Sequence, residues 1–229
     1  MPSGPEARRI QSRELVVLLL LYLLQISMAE MLRRAASSVL STQTASGAAG
    51  SVSRWSLWLA THLHPVAMLF LGIWLALVAL RAAQGKVLPR WSLDGPGVWF
   101  SLRLLAEFIT INGLIFESSR AAIRLLLGQI VVYLPYFVIC WGWIFHRFDR
   151  IGQAEPGGIV QLTDVGANRQ ISSFDYFHAT ITTLLNRGKP TITGTSRGGR
   201  VLVLLYLGMV MALYAVAFAR ILQLTRAMA

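Results

Sequence analysis

Four apolar runs, at about residues 15–32, 55–82, 125–145 and 200–222, constrain this chain more than any other feature. Each is close to the ~20 residues with which an α-helix crosses the hydrocarbon core of a bilayer. The chain has 229 residues, 55% of them hydrophobic and only 14% charged. That leaves space for roughly four to six such spans and none for a second soluble domain. The expected fold class is an all-α membrane protein with four or five transmembrane helices.

The net charge of +11 raises the question of nucleic acid. The basic residues, however, lie between the apolar runs and at their ends, without a basic patch interleaved with aromatics. Cations flanking spans arise from topology selection and contact with anionic headgroups. Membrane lipids are therefore expected partners and nucleic acid is not. Cys140 is the single cysteine, which excludes an internal disulfide and a cysteine metal cluster. His62, His64, His146 and His178 have no metal-ligand spacing with a carboxylate. The chain also lacks a glycine-rich phosphate loop, a nucleophile elbow and a zinc-protease helix motif. No enzymatic activity, cofactor or metal site is expected.

The first run follows a basic start with Arg8, Arg9 and Arg13. Its compact core and Ser27-x-Ala29 fit a secretory signal peptide, and its full extent fits an uncleaved span. The span is preferred because Met31 and Leu32 continue the apolar face. Residues 35–54, rich in Ser, Thr, Ala and Gly, read as an exposed loop. Residues 55–82 form a second span with Trp55 and Trp58 as boundary anchors and Pro65 as a source of a kink. Gly95-Pro96-Gly97 reads as a break.

Residues 98–124 allow two readings. Phased at about 100° per residue, Arg103, Glu107, Thr110, Glu117, Arg120 and Arg124 fall on one broad stripe. A span would have to turn that stripe into the protein, since lone charges facing lipid are costly. A helix lying in the interface would turn it to water. Hydropathy argues for the span, and the distribution of cations around the N-terminus argues for the interface. Residues 1–124 thus form an N-terminal membrane region.

Residues 125–147 are a span that Pro135 should bend, with Trp141 and Trp143 near its end. Residues 147–171 read as an exterior polar loop. A short amphipathic helix follows at 174–185, then a basic loop at 186–199, then a long apolar helix at 200–222. A short helix and an irregular loop between two spans have the layout of a pore unit. Irregular backbone at membrane depth survives only when buried in protein or lining a water path.

Residues 125–224 resemble the two-helix pore unit of the potassium-channel superfamily, in particular its small bacterial members. Phe174-Asp175-Tyr176-Phe177, followed by Thr180-Ile181-Thr182-Thr183-Leu184, is similar to the family's pore helix. Arg200 to Leu205, ending in Ala219-Arg220-Ile221-Leu222, is similar to its inner helix. The resemblance implies an outer helix at 125–147, a homotetramer and an ion-conducting protein of the bacterial plasma membrane.

The departure from the family matters more. After T-T-L the family has G-Y-G-D, whose backbone carbonyls replace the hydration shell of potassium. This chain has Leu185-Asn186-Arg187-Gly188-Lys189, so that cage is not expected to form. Arg187, Lys189, Arg197 and Arg200 follow the short helix with no acid among them, which makes four per chain and sixteen around a fourfold axis. Rings of Arg or Lys favour anions. The expected constriction is Asn186, Arg187, Gly188 and Lys189 after Leu185, supported by Thr182, Thr183 and Leu184. Two functions remain open. One is a weakly selective or anion-favouring channel passing inorganic ions. The other is a non-conducting scaffold or accessory subunit that kept the fold. In the second, the basic side chains meet lipid phosphates or pair with Asp149, Glu155 and Asp175.

Overall fold

The computed structural model describes residues 5–42, 51–86, 88–117, 125–152, 159–163, 171–185 and 191–228. The described chain is almost wholly helical: α1 (Pro5–Thr42), α2 (Ser51–Trp58), α3 (His64–Ala83), α4 (Trp91–Glu117), α5 (Leu134–Gly152), α6 (Ser173–Leu185) and α7 (Arg197–Met228). Two three-residue strands, β1 (Val160–Leu162) and β2 (Ile192–Gly194), pair antiparallel with Gln161 opposite Thr193. Among the described residues, five stretches are long and apolar enough to cross a membrane: Ile10–Ser38, Arg54–Ala83, Trp91–Ile115, Leu125–Arg150 and Arg197–Ala219. Contacts divide the chain into two compact units, Met1–Tyr136 and Phe137–Ala229.

Pro65, Pro96 and Pro135 each sit within a continuous helical stretch, and each is accommodated differently from a simple break. A helical proline lacks an N–H, and its ring collides with the carbonyl four residues earlier. For Pro65 and Pro135 those carbonyls belong to Thr61 and Val131. Both lie in five-residue π-helical stretches, Leu59–Leu63 and Gln129–Tyr133. The N–H just before each proline reaches back five residues, from His64 to Leu59 and from Leu134 to Gln129. The widened turn takes the carbonyl off the ring, so the helix continues. Pro96 uses a side chain instead. The carbonyl it orphans, that of Ser92, accepts the Trp74 indole N–H at 2.9 Å. Gly95-Pro96-Gly97 is therefore part of α4 and not the break expected from the sequence.

Residues 35–42 and 51–54 also depart from expectation, because α1 runs on to Thr42 and α2 begins at Ser51, while 43–50 lie outside the described residues. Ser37 and Ser38 donate to the carbonyls of Arg34 and Ala35, and Ala36 is buried, so this polar stretch stays helical. In α4 the charged stripe turns inward. Glu107 is 1% exposed, while Val98, Leu102, Leu105 and Ile109 on the opposite face are all exposed. An interfacial helix would show the reverse, so the geometry of α4 is that of a span. Glu117, Arg120 and Arg124 of that stripe lie outside the residues whose side chains are described.

Candidate functional site

In the C-terminal unit, α5, α7 and the β1–β2 ribbon hold α6, the short helix that the sequence singled out. Its N-terminus is capped by a carboxylate. The Asp175 carboxylate accepts from the backbone N–H and the hydroxyl of Ser172, at 2.7 and 2.8 Å. A carboxylate three residues into a helix satisfies donors that have no intrahelical partner.

Asp149, at the end of α5, ties the ribbon to α6. One carboxylate oxygen accepts from the N–H groups of Ile159 and Val160, at 3.0 and 3.2 Å. The other accepts from the Tyr176 hydroxyl at 2.5 Å. Burial first, and the Asp149 hydrogen bond second, push the Tyr176 hydroxyl well above the ordinary tyrosine range. The hydroxyl is therefore the donor in this bond. The aromatic core behind it is built on Tyr206, which is fully buried and ringed by Phe137, Trp141 and Phe145 at 5.3 to 5.6 Å.

The two glycines Gly194 and Gly199 let the start of α7 lie against the ribbon. A Cβ on Gly199 would stand 2.0 Å from the Ile159 carbonyl oxygen, and one on Gly194 would stand 2.3 Å from the Arg200 nitrogen. The Ser196 hydroxyl accepts from the Gly199 N–H at 3.0 Å and so caps α7, which starts at Arg197 rather than at residue 200.

The far end of α6 is held by two tyrosines of α7. Tyr206 donates to the Thr180 carbonyl at 2.7 Å, and Tyr214 donates to the Leu184 carbonyl. The Leu184 oxygen is one of the terminal carbonyls left open by helix geometry. These bonds also fix direction. Moving from Thr180 to Leu184 along α6 matches moving from Tyr206 to Tyr214 along α7, so the two helices run the same way. Tyr214 is seventeen residues past Arg197, about 26 Å along the helix at 1.5 Å per residue. Helix α6 thus ends beside the interior of the last candidate span.

The chain then returns to α6 at Thr191. The Thr191 hydroxyl lies 2.7 Å from that of Thr183 and 3.1 Å from that of Thr182, and donates to the Ala179 carbonyl at 2.8 Å. Its backbone N–H donates to Thr183 Oγ1 at 3.2 Å. Of the expected site residues, Thr182, Thr183, Leu184 and Leu185 occupy the last turn of α6. Thr183 and Leu184 are buried and Leu185 is exposed. Asn186, Arg187, Gly188 and Lys189 lie outside the described residues. Arg197 and Arg200 are exposed at the start of α7. Sequence reasoning passed over Thr191 and the anchoring roles of Asp149, Tyr206 and Tyr214. An isolated polar residue in an apolar helix, as each tyrosine is, was the available signal. Comparison with protein-family models, curated proteins and solved structures gives no match.

Proposed function

We propose that the C-terminal unit is the pore-forming part of an oligomeric membrane channel, and that residues 186–189 line its constriction. The observation that carries this reading is the depth at which the described chain leaves and rejoins α6. The chain leaves α6 at Leu185, beside the interior of a candidate span, and is back against Thr183 at Thr191. The five residues between carry Arg187 and Lys189. Two cations at membrane depth are costly unless they face water or a counter-charge, and a shared aqueous axis in a homotetramer supplies that water. Basic rings favour anions, so the reading is a weakly selective, anion-favouring path rather than a potassium filter. Gly208 has open space where a side chain would stand, which leaves a surface of α7 free for a second copy. By analogy with the resembled family, the protein resides in a bacterial plasma membrane.

A specific observation favours the second reading, a non-conducting scaffold or accessory subunit. The Leu184 carbonyl already has its donor within the same chain, in Tyr214. The Leu184 carbonyl at the end of α6 is then tied down by its own protomer and is less available to an ion.

Flux through purified protein in liposomes, under potassium, sodium and chloride gradients, separates the two. The channel reading expects chloride to exceed both cations and Arg187→Gln to reduce that preference several-fold. A potassium preference overturns the account of the constriction. No flux from a folded, oligomeric protein overturns the channel and leaves the scaffold.

A further inference from the structure

The N-terminal unit holds a second polar site, on a helix that the pore reading does not use. Glu107 of α4 is 1% exposed, and Gln25 of α1, 82 positions away, is fully buried against it. One Glu107 oxygen, Oε1, accepts from Arg103 at 2.8 Å and also from the Gln25 side-chain amide. The other, Oε2, has no hydrogen-bond partner among the described residues, and neither do Arg103 Nε and Gln25 Oε1. Beside them lies a cavity of about 20 Å³, lined in part by Ser56 of α2 and by Arg103, Glu107 and Thr110 of α4. A water needs roughly 10–15 Å³ and two or more polar partners, so this cavity has room for one. His64 of α3 lies within charge-interaction range of Arg103. The groups acting on the charge of Glu107 are Arg103 and Gln25.

An ion pair serving structure alone would use both oxygens. Buried polar atoms are nearly always paired, and an unpaired carboxylate oxygen next to a water-sized space calls for a reason. A metal cation fits poorly, because a guanidinium already occupies the same carboxylate and few oxygens surround the space. We infer that Glu107 is a proton-binding site inside the span region, loaded from a water in this cavity. A hydronium ion delivers the proton. An O–H bond forms on Oε2, an O–H bond of the hydronium breaks, and a neutral water remains in the cavity. Arg103 keeps its charge and Gln25 keeps its bond to Oε1. The N-terminal unit thereby gains a neutral and an ionised state with the same backbone, a property independent of whether the C-terminal unit conducts.

Infrared difference spectra of the full-length protein in liposomes, recorded while the pH is stepped, read this directly. The expected result is a protonated-carboxyl band that grows as pH falls and shifts in heavy water. Glu107→Gln abolishes it and Glu107→Asp displaces it. Above its midpoint the band should weaken about tenfold per pH unit, as a single titrating group does. If wild type and Glu107→Gln give superimposable pH-difference spectra, Glu107 is a fixed ion pair and the inference fails. If sodium at constant pH removes the band, the site takes a metal cation and the inference also fails. Should the glutamine variant not fold, displacement of the band in Glu107→Asp, or its absence, decides the matter.

Discussion

Asp149 in the C-terminal unit accepts three hydrogen bonds that between them use both of its oxygens. Glu107 in the N-terminal unit accepts two, both on one oxygen, and leaves the other without a partner among the described residues. Both carboxylates are buried, at 4% and 1% exposure. Burial alone therefore does not distinguish them; the filling of their hydrogen-bonding capacity does. A saturated buried network fixes geometry, because any movement leaves some group unpaired. A network with an open acceptor and adjacent space has something left to exchange. The first arrangement positions α6 and the ribbon, and the second suits a group that changes its protonation.

The sharpest test of that contrast is Arg103→Gln, expected to cost about 3–5 kcal/mol because it leaves a buried carboxylate without its counter-charge. Adding Glu107→Gln should recover most of the loss, since the charge goes with it. Thermal unfolding in detergent of the two single variants and the double variant measures the coupling. A double variant as unstable as Arg103→Gln alone would mean that the loss does not come from an unneutralised Glu107. Asp149→Asn comes next, at about 3 kcal/mol, because hydrogen bonds to a charged acceptor contribute roughly 1.5–3 kcal/mol each and an amide cannot accept all three. No second-site change should rescue it, and rescue by Tyr176→Phe would show the network to be less saturated than described. Gly199→Ala, whose new methyl would meet the Ile159 carbonyl, is expected to cost about 1–3 kcal/mol by overpacking. If its melting temperature matches wild type, α7 is free to shift off the ribbon.

The elements were legible in the sequence where one physical rule governs them. Apolar runs of bilayer length gave four of the five candidate spans, and helical periodicity bounded α6 within a residue. What escaped depends on distant partners. Nothing near Pro96 announces that Trp74 will satisfy the carbonyl it orphans. Nothing near Arg103 and Glu107 points to Gln25, although a lone amide inside an apolar run signals that some polar partner exists. Strands of three residues are too short to carry an alternating pattern, so from sequence β1, β2 and the surroundings of Asp149 read as loop. Thr191 was hidden for the same reason, in a stretch whose polar composition suggested only exposure.

The smallest effect bears most closely on function. Tyr206→Phe and Tyr214→Phe each delete one hydroxyl that bonds a carbonyl of α6. Tyr206 is fully buried, so its loss should cost about 1 kcal/mol whatever the protein does. Tyr214 is 48% exposed and stands where α6 ends. If that end faces a water-filled axis, water replaces the lost hydroxyl, and Tyr214→Phe should melt like wild type in the assembled protein. If the end is dry and closed, the Leu184 carbonyl is left unpaired, and Tyr214→Phe should lose as much as Tyr206→Phe. Equal losses with no flux favour the scaffold. A loss confined to Tyr206→Phe, together with flux that Tyr214→Phe alters, favours the pore.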